Sequence, residues 1–332
     1  MSRCRMCVLA VAASMLTVGC NVPSANRPVA VDDTPELKAY AKAVNASVSD
    51  WTEGRLKLYM PAETTDEVLV TLGKLAPRRL GALNLRECVK VTDAGFSALA
   101  SLPGLGSMTL PPQFTDAAFV DAAKRFPKLE YLEIECSPAK PSPLTSAGLK
   151  SIAGVRSLLE FNALFTVADD SSWADFAKVP RLHSLRLGSP KLTGVGVKQL
   201  ANTEKVWALA IANSPLTAAS MNELGSVDSL KSLSIADCGV TDARLAAFNA
   251  PEGLTYLILE ANPLTDEGMN SVARMKNLKV VGVIDSPISD AGLMHLSAMK
   301  SATNINFERS KVTEAGVAAF NRVRPAVKVN KN

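Results

Sequence analysis

Few residues in this chain have the types and spacing that chemistry requires. Its 332 residues include six cysteines and two histidines. His183 and His295 fall four units apart in the repeat described below, so they lie roughly 20 Å apart and cannot share a metal ion or a catalytic triad. No Cys pair or His–Glu pair has zinc-site spacing, and no glycine-rich phosphate loop occurs. The sequence predicts no catalytic residue, no metal site and no cofactor.

The cysteines favour a structural interpretation. Three of them, Cys4, Cys7 and Cys20, lie in an N-terminal export segment. Cys88 and Cys136 would lie two strands apart, at about 10 Å, whereas a disulfide needs Cα atoms within about 7 Å. We expect these two and Cys238 to be buried free thiols.

Pairs of Thr or Ser with Asp recur along the chain, as in Thr241-Asp242, Thr265-Asp266 and Ser289-Asp290. A hydroxyl beside a carboxylate can take part in acid–base chemistry, but a catalytic pair does not recur at every turn. A helix N-cap followed by an acid at the positive end of the helix dipole explains the recurrence better. We therefore expect these pairs to start helices.

The elements that position these pairs form a repeat. Each unit begins with an apolar leading residue, and two further apolar residues follow three and five places later, as in Leu254-x-x-Leu257-x-Leu259. From Leu158 to Ala302 every step is 24 residues. The leading residues are Leu80, Leu105, Leu129, Leu158, Leu182, Val206, Leu230, Leu254, Leu278 and Ala302. The alternating segment predicts a strand with one buried face, and the segment after the Thr-Asp pair predicts a short helix.

This pattern resembles leucine-rich repeats, specifically the 24-residue bacterial GALA-like kind with a Thr-Asp-x-Gly-Leu turn, and ribonuclease-inhibitor-like horseshoes. The resemblance covers about residues 53–329. It implies an α/β solenoid with a parallel concave sheet, short convex helices and binding as the usual function.

Some units depart from the pattern. The unit from Leu158 lacks the Thr-Asp-x-Gly signature but keeps its helix through Trp173 and Phe176. A Pro-rich insertion at 138–143 predicts a stiff loop. Further strands are predicted at 56–58 and 327–329, and a helix opening at Thr34 suggests an N-terminal cap over 34–52.

The first residues resemble a bacterial lipoprotein signal. Arg3 and Arg5 precede an uncharged run, 6–19, that is too short to span a bilayer. The run ends in Leu16-Thr17-Val18-Gly19-Cys20, with Thr17 where the family usually has Leu. The resemblance implies a signal peptide at 1–19, acylation of Cys20, a tether at 20–33 and a membrane anchor at the cell envelope. Ordinary signal cleavage is the alternative, for which Pro23-Ser24-Ala25 is a poor site.

Composition excludes other classes of protein. Hydrophobic residues make up 47% of the chain and charged residues 20%, which is a globular composition. Without residues 1–19, which contain two arginines and no acid, the 36 basic and 32 acidic residues become 34 and 32. So small an excess argues against a nucleic-acid surface.

The concave face is the expected site. Side chains two, four and six places after each leading residue should point to it, and those of the C-terminal half are apolar. The sequence predicts that Tyr256, Ile258, Val280 and Ile284 form a partner-binding patch, with Glu260, Asp285 and Glu308 as its polar rim. The loop at 138–143 is the rival binding site.

The expected function is a non-catalytic, envelope-displayed module that binds a protein or a glycan. The alternative is a scaffold that self-associates through its repeat stack.

Overall fold

The strands form one continuous sheet. The structure is a computed structural model that describes residues 33–99, 102, 104–203 and 205–331. Its 13 strands follow one another in sequence order; β2 to β13 are parallel, and β1 is antiparallel to β2. They are β1 (Ser47–Asp50), β2 (Leu56–Tyr59), β3 (Leu80–Asn84), β4 (Ser107–Leu110), β5 (Tyr131–Ile134), β6 (Glu160–Ala163), β7 (Ser184–Gly188), β8 (Ala208–Ala212), β9 (Ser232–Ala236), β10 (Tyr256–Glu260), β11 (Val280–Ile284), β12 (Asn304–Asn306) and β13 (Lys328–Asn330).

Short helices alternate with these strands. After an N-terminal helix, Thr34–Ala43, the α-helices are Asp66–Leu75, Asp93–Ser97, Ala122–Arg125, Ser146–Ala153, Ser172–Phe176, Ala218–Leu224, Asp242–Ala246, Asp266–Ala273, Asp290–His295 and Glu314–Val323. Short 3-10 helices occupy Thr52–Gly54, Asp116–Phe119, Val197–Thr203 and Leu296–Ala298. Successive helices pack on one another, as successive strands do.

The repeat pattern explains this arrangement. In β10, Leu257 and Leu259 are completely buried. Tyr256, which directly precedes Leu257, points to the other face of the sheet and is half-buried. Leading residues such as Leu254 and Leu278 are also buried, and one continuous apolar core runs from Leu37 to Val327. No unit could bury its apolar face alone, so stacking creates the core. The α/β leucine-rich-repeat solenoid expected from the sequence is confirmed.

The N-terminal end of the stack contains one strand that the sequence pattern did not reveal. The helix Thr34–Ala43 buries Leu37 and Tyr40, and the Tyr40 hydroxyl donates a 2.9 Å hydrogen bond to the carbonyl of Val68. Strand β1 follows it and pairs antiparallel with β2. With a single apolar residue, Val48, β1 has too little alternation to be recognised from sequence.

The irregular units keep the stack continuous. In the unit from Leu158, Trp173 and Phe176 are completely buried, as their helical register predicts. The predicted signal peptide, Cys20 and residues 20–32 of the predicted tether lie outside the described residues. Of the helices within the described ranges, none is long and apolar enough to cross a membrane.

Candidate functional site

The Thr-Asp pairs join neighbouring units. Thr265 caps its own helix by accepting a hydrogen bond from the backbone of Glu267, as predicted. The carboxylate of Asp242, one unit earlier, accepts bonds from the Thr265 backbone N–H at 3.0 Å and from its hydroxyl at 2.6 Å. The same arrangement joins Asp66 to Thr92, Asp93 to Thr115, Asp116 to Thr145, Asp266 to Ser289 and Asp290 to Thr313. These carboxylates are structural links, which the helix-dipole interpretation alone did not anticipate.

The cysteines of the described segments are free thiols. Cys88 and Cys238 are buried, and the Cys238 thiol donates to the carbonyls of Ala236 at 3.2 Å and Ile211 at 3.5 Å. Burial raises the pKa of the Cys238 thiol to about 12, so it stays protonated and unreactive. Cys136 is only half-buried, because it lies where the Pro-rich loop leaves β5; burial nevertheless raises its pKa to about 12.

The two histidines occupy unrelated places. His183 precedes β7 and stacks on Trp207 with ring centroids 5.7 Å apart; its pKa is lowered, first by burial and then by Arg181. His295 is exposed at the end of its helix. Among the described residues no group of three or more His, Cys, Asp or Glu side chains could hold a metal ion.

The predicted concave patch is assembled only in part. The register of β10 and β11 places Tyr256 beside Val280, and both are half-buried and accessible. Ile258 lies opposite Gly282, whose missing side chain leaves room for it: a Cβ there would lie 2.4 Å from Ile258 Cδ1. Ile258 is 6% exposed and Ile284 is 0% exposed. The expectation of four exposed apolar side chains is therefore wrong for these two, which are covered, whereas Tyr256 and Val280 are accessible.

Glu260 is also less accessible than predicted, with 5% of its surface exposed. Its carboxylate forms an ion pair with Arg309 at 3.1 Å. Arg309 also approaches the carboxylate of Asp285 at 3.9 Å, so one guanidinium pairs with both carboxylates. Burial raises the pKa of Glu260; Arg309 opposes this, and Asp285 and Glu308 add to it. The predicted polar rim thus has two carboxylates, Glu260 and Asp285, paired with one guanidinium, while Glu308 accepts a 3.1 Å hydrogen bond from Asn306.

The N-terminal half of the concave face carries a polar network. Arg86 forms ion pairs with Glu135 at 3.0 Å and Glu133 at 3.9 Å, and Glu133 accepts a 3.0 Å hydrogen bond from Asn162. Tyr131 is exposed next to this network. Two carboxylates share one guanidinium here, as they do at Arg309, so the accessible apolar pair Tyr256 and Val280, and not the charge, distinguishes the C-terminal half.

The rival site is an exposed loop after β5. Ser137 pairs with Lys140, and Pro138, Lys140 and Pro141 are exposed. Ser142 is buried and donates from its backbone to the carbonyl of Phe165 at 2.7 Å, which fixes the end of the loop to the next unit. The loop is therefore a short, anchored projection at the rim formed by the C-terminal ends of the strands.

Comparisons with known proteins identify the architecture. No protein-family model matches the chain, and no curated protein sequence matches it. An internalin (InlF) from Listeria monocytogenes aligns with 15% identity and a TM-score of 0.52, over 88% of this chain and 93% of its own. An internalin C2 from the same organism aligns with 17% identity and a TM-score of 0.39, over 57% of this chain and 76% of its own. Internalins are leucine-rich-repeat proteins. At such identities the likeness concerns the fold alone: the chain is an α/β leucine-rich-repeat solenoid.

Proposed function

We propose that this chain is a non-catalytic binding module, displayed at the cell envelope, that recognises a protein through the C-terminal half of its concave face. The observation that carries the proposal is an accessible apolar pair, Tyr256 and Val280, beside an acidic cluster. Interfaces use desolvated aromatic anchors of this kind within a polar rim.

The charge of this surface defines the chemistry of its partner. The rim contains three carboxylates, those of Glu260, Asp285 and Glu308, and one guanidinium, that of Arg309, which pairs with the first two, so the rim carries excess negative charge. A complementary protein segment places an apolar side chain against Tyr256 and Val280 and basic side chains next to them. Ile258 and Ile284 are buried and do not act as direct anchors.

A non-catalytic role is supported by how the candidate chemical groups are used. The carboxylates of the Thr-Asp pairs, such as Asp242, bond to the next unit. The buried thiol of Cys238 bonds to backbone carbonyls. Groups committed to such contacts do not activate a nucleophile or transfer a proton.

Display at the envelope rests on the predicted signal sequence. We propose that Cys20 is acylated after removal of residues 1–19. Labelled palmitate is then incorporated into the wild type and not into Cys20→Ser, and equal labelling of both proteins excludes the anchor.

The binding site is tested by affinity capture from an envelope extract with three variants. Tyr256→Ala combined with Val280→Thr should abolish capture of the partner. Tyr131→Ala, an aromatic truncation elsewhere on the concave face, should leave the capture unchanged.

If shortening the loop at 138–141 abolishes capture and the Tyr256/Val280 variant does not, the loop is the binding site. Capture that survives protease treatment of the extract and is lost after glycosidase treatment identifies a glycan instead.

Self-association through the ends of the stack is the alternative function. Strand β13 has three residues, and Lys328 and Lys331 occupy the strand and the position after it. Short edge strands with lysines resist pairing with another chain. We therefore favour a heterologous partner, and a concentration-dependent increase in mass on sedimentation would support the alternative.

A further inference from the structure

The two rims of the solenoid carry opposite charge. Among the described residues, nine exposed basic side chains lie one to four residues before a strand begins, at the rim formed by the N-terminal ends of the strands, against three exposed acids, Glu53, Asp228 and Glu252. The basic rim is defined by six of these nine: Arg156, Arg181, Lys205, Lys231, Lys279 and Lys300. The acids that follow the helix-capping Thr or Ser residues lie at the opposite rim, together with Asp237, Asp285 and Glu308 after the strands. The formal net charge of +4 conceals this separation.

Hydrogen bonds hold part of the basic rim in place without neutralising it. Lys205 donates to the carbonyl of Pro180 at 2.8 Å, and Arg156 donates to the carbonyl of Lys178 at 2.8 Å. Arg181 has an exposed ion pair with Glu130 at 3.4 Å. Within the described ranges, Lys231, Lys279 and Lys300 have no carboxylate at ion-pair distance. Since neighbouring parallel strands lie about 4.8 Å apart, these cations form a row along the rim.

The first described residue, Asp33, lies at this same rim. The carboxylate of Asp33 accepts hydrogen bonds from the backbone N–H groups of Arg78 and Arg79, the latter at 3.1 Å. These two residues directly precede β3, so Asp33 is fixed at the N-terminal ends of the strands.

An aromatic side chain lies within the row. Trp207 immediately precedes β8, is half-buried and stacks on His183. Its neighbours along the rim include Lys205 and Lys231. Tryptophan is enriched where proteins meet the headgroup region of a bilayer, because its ring is apolar and its N–H is polar.

We propose that the basic rim rests on an anionic lipid surface, with the row of cations and Trp207 at the level of the headgroups. This orientation leaves the concave face and the acidic rim free for a partner. The inference goes beyond the proposed function. It does not require acylation of Cys20 or any partner protein, because the contact is electrostatic and can be measured on lipid alone.

Vesicle sedimentation tests the proposal with the full chain. Vesicles of phosphatidylcholine alone are compared with vesicles of phosphatidylcholine and phosphatidylglycerol in equal amounts. The apolar segment at 6–19 is common to all variants, so the difference between the two vesicle types isolates the charge effect. We expect tighter binding to the anionic vesicles and a loss of this preference at high salt.

Two matched variants locate the contact. The rim variant changes Lys205, Lys231, Lys279 and Lys300 to Glu. The control changes Lys90, Lys140, Lys191 and Lys311, exposed lysines that follow strands and lie towards the acidic rim, to Glu. Both change the net charge equally. We expect the rim variant to lose at least about tenfold in affinity for the anionic vesicles and the control to retain most of it.

Three results would overturn the proposal. The first is an equal loss for both variants, which means that net charge and not the rim determines binding. The second is wild-type binding by the rim variant. The third is binding of inorganic polyphosphate without any preference for anionic vesicles, which identifies a soluble polyanion as the ligand. A rim variant with four Gln substitutions, which introduces no new repulsion, should show a smaller loss in the same direction. Unchanged melting temperatures show that the variants are folded.

Discussion

A methyl group added to Gly268 would lie 2.3 Å from Oδ1 of Asp242 in the preceding unit. The glycine of the Thr-Asp-x-Gly turn therefore provides space for the carboxylate that links two units. Gly95, Gly148, Gly292 and Gly316 face Asp66, Asp116, Asp266 and Asp290 in the same way. Where Ala218 replaces the Asp, the following unit has Arg244 at the glycine position. Where Thr115 bonds to Asp93, Ala118 occupies the glycine position and the turn is a 3-10 helix, Asp116–Phe119. In the α-helical turns, the Asp of one unit and the Gly of the next are one structural feature.

We expect Gly268→Ala to destabilise the protein by about 1–3 kcal/mol, although alanine favours helices, because the methyl group displaces the Asp242 carboxylate. The free energy of unfolding in urea measures this. Gly253→Ala is the control, since its nearest contact would be an ordinary 3.4 Å. A double-mutant cycle with Asp242→Ala should be non-additive, because removing the carboxylate makes room for the methyl group. Additive losses would contradict the linkage.

Asp266→Ala should lower the free energy of unfolding by about 1.5–3 kcal/mol, since Ser289 loses two hydrogen bonds to a charged acceptor, at 2.7 Å and 2.5 Å. Glu267→Ala, which removes the exposed neighbouring acid, should change it by about 0.5 kcal/mol or less. Chemical denaturation compares the two variants. Equal losses would mean that the acids act only through the helix dipole.

Asp290 makes the stack sensitive to acid. The hydrogen bonds donated by the backbone and then by the hydroxyl of Thr313 lower the pKa of Asp290. A lowered folded-state pKa stabilises the fold above the unfolded value of about 4, and this contribution is lost as the pH falls through the folded value. The stability advantage of the wild type over Asp290→Asn should therefore shrink between about pH 7 and about pH 3. An advantage that stays constant would contradict this.

Glu260→Lys should destabilise the protein by about 2 kcal/mol or more, because it places a cation in a site that is 5% exposed and faces Arg309. The sequence predicts instead an accessible position in the polar rim. Glu314→Lys is the matched control, since that side chain is 81% exposed and we expect a change of about 0.5 kcal/mol or less. Similar thermal shifts for the two variants would show that Glu260 is not enclosed.

The fold could be predicted because the spacing of apolar residues repeats from one unit to the next. Spacings of three and five residues after each leading residue determine which side chains enter the core, and Leu257 and Leu259 are buried accordingly. Stacking then follows, since each unit repeats the same geometry. Strand β1 was missed because its single apolar residue, Val48, gives no period.

The accessibility of the candidate site could not be predicted in the same way. The pleat determines that Ile258, Glu260 and Ile284 point to the concave face, but neighbouring strands decide whether they are covered. Ile258 is covered because Gly282 beside it has no side chain, and Arg309, 49 residues after Glu260, reaches that residue. The basic rim could not be predicted either, because its cations are dispersed along the sequence and come together only when the units stack.

The central claim, that the C-terminal concave face binds a protein, is tested most directly by site-specific photocrosslinking. A photoreactive phenylalanine derivative replaces Tyr256 in one variant and Val120, which is 59% exposed next to the short helix Ala122–Arg125, in another. Both are irradiated in the native envelope. We predict a discrete, partner-sized adduct from position 256 and none from position 120. Equal adducts from both positions, or an adduct from position 120 alone, would contradict the claim.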